Sequence, residues 1–230
     1  MKKQIKIPYN FFEKKAWIKN HYVCGVDEAG RGCLAGPVVV AAVVLPPNTP
    51  YQFPDSKKTT LKQRIEAFEW ITQHAFYAVA FADHNLVDHI NVYQATRHAA
   101  KNASLRLINQ LYHTITPFHL NALITDALPL SLGQNNIPNQ YELHHFPFGE
   151  SISTTIAAAS IVAKVVRDEY MNTMEHLFPH FTFGKHKGYG TANHLDELLT
   201  HGPSTIHRQT FIKSILDKGE HDQQTSIFNL

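Results

Sequence analysis

The chain has 230 residues, of which 43% are hydrophobic and 17% charged, and its formal net charge is +2. That length and apolar content suit one large globular core, or one core with a small appendage. The near-balanced charge excludes a generally basic nucleic-acid binder, so a nucleic-acid site must come from local basic clusters.

Residues 1–20 are polar, carry lysines and aromatics, and lack the apolar core of a signal peptide, so they read as a short helix or arm. No apolar run is long enough to span a bilayer; the expectation is a cytoplasmic protein with no membrane partner. Tyr22 to Glu28 reads as a strand, and Val38 to Leu45 as a fully buried one, broken by Pro46, Pro47 and Pro50. Cys24 and Cys33 are expected to be small buried hydrophobes. Helical spacing marks Leu61 to His74, strand patterning Ala75 to Ala82, and a long amphipathic helix Val92 to Tyr112. Asn121 to Asp126 is a short strand ending in an acid, Leu130 to Gln140 a loop, and Tyr141 to Phe146 a strand.

Ser151 to Met174 is expected to be a helix whose Ala-Ala-Ala-Ser stretch is small enough to pack closely on the sheet. Phe183 to Gly190 reads as a basic loop, Thr191 to Thr200 and Thr210 to Lys218 as helices, and Glu220 to Leu230 as a loose tail. The sixteen histidines are scattered, with no zinc-site spacing. The succession predicts an α/β fold, a mixed sheet flanked by helices. Its parts would be an arm (1–20), one domain (21–218) and a flexible tail (219–230).

Asp27, Glu28, Asp126 and Glu150 stand at strand or helix ends. Each alone could be a solvated or capping acid, since exposed acids are the rule. Asp27, beside an apolar strand, is harder to explain so, because an unpaired charge there is costly. Together they suit hard divalent cations, which take oxygen ligands. Two such ions about 3.5–4 Å apart support phosphodiester hydrolysis. Successive strand residues face opposite ways, so for both Asp27 and Glu28 to reach metals the strand must end or distort beside Gly30.

Gly30-Arg31-Gly32 is a turn that can present backbone groups to a sugar or phosphate. Lys185, Lys187 and Tyr189 lie in a basic stretch that is either a solvated loop or a set of phosphate contacts with one stacking ring. Lys57 begins a second basic step, and Lys164 and Arg167 read as snorkelling helix residues.

The run GVDEAGRGCLAGPVVVAAVVL closely resembles the opening of ribonuclease HII, the type 2 ribonuclease H. DSKK at 55–58, IAAASIVAKVVRDEYM at 156–171, FGKHKGYGT at 183–191 and IHRQTF at 206–211 follow in the family's order. The resemblance implies a ribonuclease H-like core with a helical C-terminal part. It also implies a metal-dependent endonuclease, with Mg²⁺ or Mn²⁺ in a two-metal site. The implied reaction cuts the RNA strand of RNA–DNA hybrids and cuts 5′ to single ribonucleotides in duplex DNA, giving 3′-hydroxyl and 5′-phosphate ends. Asp27, Glu28 and Asp126 fall on the family's first three acids. Gly30, Arg31 and Gly32 fall on the backbone reader of the 2′-hydroxyl, and Tyr189 on the tyrosine of the RNA–DNA junction.

Two departures stand out. Ala127 follows the third acid where glycine is usual, which implies that no glycine-specific dihedral is needed there. Glu150 replaces the usual fourth aspartate, and Ile152 the usual lysine, so metal preference is the property expected to change. A hybrid-binding protein weakened in catalysis is the alternative, but it would have no need for three acids together. A different nuclease of the same fold would need no 2′-hydroxyl reader. Gln224, Thr225, Ser226, Ile227 and Phe228 resemble the short sliding-clamp-binding peptide of bacterial replication and repair proteins; the other reading is a terminus folded back on the core.

Overall fold

The computed structural model describes residues 8–51, 53, 59–133 and 141–217. The elements run α1 (Phe11–Trp17), β1 (Tyr22–Ala29), β2 (Val38–Val44), α2 (Leu61–His74), β3 (Phe76–Ala82), α3 (His84–Thr114), β4 (Leu120–Asp126), β5 (Glu142–Phe146), α4 (Thr154–Leu177), α5 (Phe183–His186) and α6 (Ala192–His201). Residues 209–217 are also helical. One sheet holds the five strands in the order β3-β2-β1-β4-β5. The β1–β2 and β2–β3 pairs are antiparallel, and β1–β4 and β4–β5 are parallel. The expected α/β fold with a mixed sheet flanked by helices is therefore present.

β2 is apolar at every position because helices cover both of its faces. Val38, Val40, Ala42 and Val44 pack with Ala95, Ala99, Leu107 and Leu111 of α3. Ala41 and Val43 pack with Ile156 to Ala159 of α4 and with Ala67 and Ile71 of α2. The two sets alternate, as the period of a strand requires. A Cβ on Gly25 would lie 2.4 Å from the Thr155 carbonyl carbon. Backbone thus meets backbone where β1 crosses α4, which is why α4 needs its small-sided Ala157 to Ala159.

The largest differences from expectation are two helix starts and one loop. α3 starts at His84 rather than Val92, because Asp83 caps it by accepting from the Leu86 amide at 2.7 Å. It is kinked at Asn91 (φ 64°), whose side chain accepts from the Gln94 amide at 3.1 Å and restarts the helix. α4 starts at Thr154 rather than Ser151, since Ser153 is its N-cap and Gly149–Ser151 forms a 3₁₀ turn. The basic stretch is not wholly a loop: Phe183–His186 is a helical turn, ended by Lys187 in the left-handed region (φ 51°).

Ala127 also corrects an expectation. It adopts φ 49°, the left-handed conformation that glycine accepts without a Cβ penalty. The turn is held by the Ala127 amide donating to the Phe146 carbonyl (2.9 Å) and by the Thr125 hydroxyl donating to the Leu128 carbonyl (2.6 Å). The left-handed dihedral is adopted by a residue with a Cβ, so Ala127→Gly should stabilise the fold by about 1 kcal/mol, as relief of left-handed strain in an L-residue. Urea unfolding of the two proteins measures this; a loss of stability on substitution would show that the strain is absent.

Candidate active site

Val26 and Thr125 are partners in the parallel β1–β4 pairing, so Asp27 and Asp126 follow side by side at the same edge of the sheet. Glu150 arrives on the 3₁₀ turn after β5. One carboxylate oxygen from each of Asp27, Asp126 and Glu150 lies within 4.8 Å of the others. β1 does not distort at the acids: Asp27 and Glu28 pair regularly with Ala41 and Val40. Asp27 therefore joins the acid group, while Glu28 takes a different place on the wall of the same cleft, with its carboxylate 3.1 Å from the Arg31 guanidinium. The cleft has a volume of about 420 Å³ and is also lined by Ala29, Gly30, Arg64, Ser160, Lys164 and Tyr189.

Asp27 is 5% exposed. Burial holds its carboxyl well above the usual carboxylate range, and the charges of Glu28, Asp126 and Glu150 push the same way, against the opposing influence of the neighbouring Ser160 hydroxyl. A divalent cation between these oxygens would relieve both the desolvation and the repulsion, so the donor set fits a hard metal.

The acids are held by short contacts. The Gly149 amide donates to Asp126 Oδ1 at 2.9 Å, and Ser160 Oγ donates to Glu150 Oε1 at 3.0 Å. The N-terminal residues read as a short helix or arm pin the Glu150 turn from behind. Buried Glu13 accepts from the Ser153 hydroxyl and from the Thr155 amide (3.2 Å). Asn10 accepts from the Thr154 amide and donates to the Ile152 carbonyl, each at 2.8 Å.

Ser160, Arg64 and Lys164 are cleft residues that reading for site residues missed. The only signal for Ser160 was a hydroxyl amid small apolar residues on α4. Lys164, expected to snorkel, holds Asp168 at 2.7 Å and sits 5.4 Å from the Tyr189 ring centroid. Asp168 also pairs with Arg64 at 3.5 Å and stands outside the acid group.

Tyr189 is 38% exposed, with the Arg167 guanidinium 5.6 Å from its ring centroid and its hydroxyl bonded to the Cys33 thiol. Burial pushes its phenol up to about 12. Both cysteines are buried and free, as expected of small core residues. The structure does not bring Lys187 to the cleft: its ammonium donates to Asn172 and to the Gly184 carbonyl. Lys185 is exposed and does not line the cleft. Lys57 and the peptide Gln224 to Phe228 lie outside the described residues.

Three histidines support Tyr189 from inside. His194 Nδ1 donates to the Tyr189 carbonyl (2.9 Å), so its Nε2 accepts from His207 Nε2 (3.0 Å), whose Nδ1 accepts from the Ser204 amide (2.9 Å). His186 Nδ1 accepts from the Gly188 amide (3.1 Å), and its Nε2 meets Glu197 (3.0 Å). Burial pushes His194 and His207 down to about 4 from 6.5. The unfolded chain therefore binds protons that the native state refuses between these values. The stability that these two histidines contribute is fully present above pH 6.5 and is lost as pH falls towards 4. Thermal unfolding should show this fall, and His207→Gln should make it shallower; an equal slope in both proteins would contradict the neutral-histidine arrangement.

The family model for ribonuclease HII matches residues 24–214. The chain belongs to the ribonuclease HII family. Ribonuclease HII of Oceanobacillus iheyensis is 41% identical over 214 residues, which cover 91% of this chain and 76% of that one. The fold is similar to that of ribonuclease H2 from Pyrococcus horikoshii OT3, with a TM-score of 0.67 at 20% identity, over 86% of this chain and 99% of that one. It is also similar to a chain in the PCNA:RNase HII complex from Archaeoglobus fulgidus, with a TM-score of 0.60 at 22% identity, over 81% and 93% of the two chains. As a ribonuclease HII, the chain is an endonuclease that hydrolyses RNA in RNA–DNA hybrids, and its acid group is compatible with metal binding. Among the described residues, no helix is long and apolar enough to cross a membrane.

Proposed function

We propose that this ribonuclease HII cuts the RNA strand of hybrids and also cuts 5′ to a single ribonucleotide embedded in duplex DNA, leaving 3′-hydroxyl and 5′-phosphate ends. The observation that carries the reading is one cleft that joins the acid group to the Gly30 turn and Tyr189. Asp27, Glu28, Asp126 and Glu150 would hold Mg²⁺ or Mn²⁺, and the ions would activate water and neutralise charge on the leaving oxygen.

The chain's own residues supply placement. The strand ends fix Asp27 and Asp126, and Ser160 fixes Glu150. Gly30, Arg31 and Gly32 approach the ribose, Tyr189 bounds the junction, and Lys164 and Arg64 offer charge to the phosphate. Lys185 and Lys57 are proposed as outer phosphate contacts. Lys187, turned inward, steadies the segment that carries Tyr189. A protein that only bound hybrids would gain nothing from crowding a buried Asp27 against two further acids.

The test is a duplex with one ribonucleotide, incubated with and without Mg²⁺ or Mn²⁺, with both product ends mapped. Cleavage away from the ribonucleotide, cleavage of all-DNA duplex, or metal-independent cleavage would overturn the reading.

A sliding clamp is proposed as a partner through Gln224 to Phe228. Support comes from the peptide pattern and from a structural neighbour seen in complex with PCNA. Tethering would raise the local concentration of enzyme at new DNA. The full chain should bind a bacterial sliding clamp in calorimetry, and a chain ending at residue 220 should not; binding that survives the truncation would exclude this peptide.

A further inference from the structure

Two guanidiniums, Arg167 and Arg208, are completely buried, and neither has a carboxylate within ion-pair distance among the described residues. Both are satisfied by backbone carbonyls. Arg208 donates from Nη2 to the Gly30 carbonyl (2.8 Å), from Nη1 to Arg31 (2.8 Å), and from Nε and Nη2 to Gly36 (3.0 and 2.8 Å). Arg167 donates to Pro37 (3.0 Å), Ala35 (3.2 Å) and Lys187 (2.9 Å). Burying an unpaired charge is costly, and the planar five-donor fork of arginine reaches three carbonyls at once in a fixed geometry that the compact ammonium of lysine does not match.

The direction of these bonds has a covalent consequence. In a trans peptide the C=O of one residue and the N–H of the next point in opposite directions. The carbonyls of Gly30 and Arg31 point inward to Arg208, so the amides of Arg31 and Gly32 point away from it. Gly32 is exposed, and neither amide makes a hydrogen bond among the described residues. The turn thus directs two adjacent donors, the Arg31 and Gly32 amides, away from Arg208, beside a cleft lined by Gly30. Gly30 must lack a Cβ, since one would lie 2.0 Å from Arg167 Nε.

We infer that Arg208 is the positioning residue of the ribose reader: by drawing the Gly30 and Arg31 carbonyls into the interior, it aims the Arg31 and Gly32 amides at an oxygen of the ribonucleotide. This rests on the proposed reading of embedded ribonucleotides. It goes further by assigning the polarity of the contact and the group that sets it. Asp88 provides a control, because it holds the neighbouring Gln209 and Thr210 amides (2.7 and 3.0 Å) without touching those carbonyls.

The experiment measures binding of full-length Asp27→Asn protein, in Mg²⁺ and without cleavage, to a duplex with one ribonucleotide and to the same duplex in DNA. The parent should prefer the ribonucleotide by about tenfold, the scale of lost hydrogen bonds to one group. Adding Arg208→Lys should remove that preference and leave binding to DNA unchanged, whereas adding Asp88→Asn should keep it. A preference that survives Arg208→Lys, or is lost equally in Asp88→Asn, overturns the role of Arg208 and leaves the ribonucleotide reading standing. No preference in the parent overturns both. Amide exchange in the parent keeps the inference testable if Arg208→Lys does not fold. The Arg31 and Gly32 amides should exchange rapidly in the free protein and slow with the ribonucleotide duplex but not with DNA; slow exchange in the free protein would refute it.

Discussion

Asp27→Asn should lower cleavage by about a thousandfold or more, at the upper end of losses from removing one charge-stabilising group, while the protein remains folded. Asparagine keeps the shape of a 5%-exposed side chain between the acid group and Ser160. The same substitution should raise the melting temperature when metal is chelated. The Asp27 carboxyl is held above its unfolded value of 3.8, so the native state is penalised as pH rises through that interval and remains penalised at neutral pH. Removing the charge removes the penalty. Added Mg²⁺ or Mn²⁺ should stabilise the parent more than the variant, by linkage to binding. Calorimetric melts with chelator and with metal, beside single-turnover cleavage, separate the two effects. Near-normal turnover by the variant at saturating Mg²⁺ would place the metal site elsewhere.

Tyr189→Ala should cut activity on a single-ribonucleotide duplex by about ten- to a hundredfold, the range of one base-stacking contact. The loss on a long hybrid should be smaller, where many phosphate contacts share the binding. The ring is exposed on the cleft side while its backbone is tied to His194 and its face lies near Lys164 and Arg167. Tyr189→Phe should separate the ring from the hydroxyl that meets Cys33, and should retain most of the activity. Equal losses on both substrates would make Tyr189 a structural residue only.

The β-branched run that became β2, the small-sided run of α4 and the acid at the end of β4 were legible in the chain. Each is a local composition whose burial or period leaves few alternatives. The family was legible too, through five motifs in order. Less was legible where one segment acts on another. The α3 start at His84 depends on a single cap and on a kink at Asn91 that resembles a helix boundary. Ala127 argued against a left-handed turn, but the Phe146 carbonyl and the Thr125 hydroxyl impose one against the residue's own preference.

By itself, the sequence determined that four acids, a glycine turn and a basic tyrosine-bearing stretch exist, and which chemistry they suit. Only the tertiary structure decided how they face. It put Asp27, Asp126 and Glu150 together, turned Glu28 to Arg31 and Lys187 inward, and drew Ser160 and Arg64 into the cleft. It also gave Glu13 and Arg208 contacts 140 and 178 residues away along the chain. The physical reason is that side-chain direction on a strand or helix follows from local geometry, whereas the partner of a buried charge is whichever group the packed elements bring within hydrogen-bonding distance. Those partners lie in distant segments, where no spacing rule connects them.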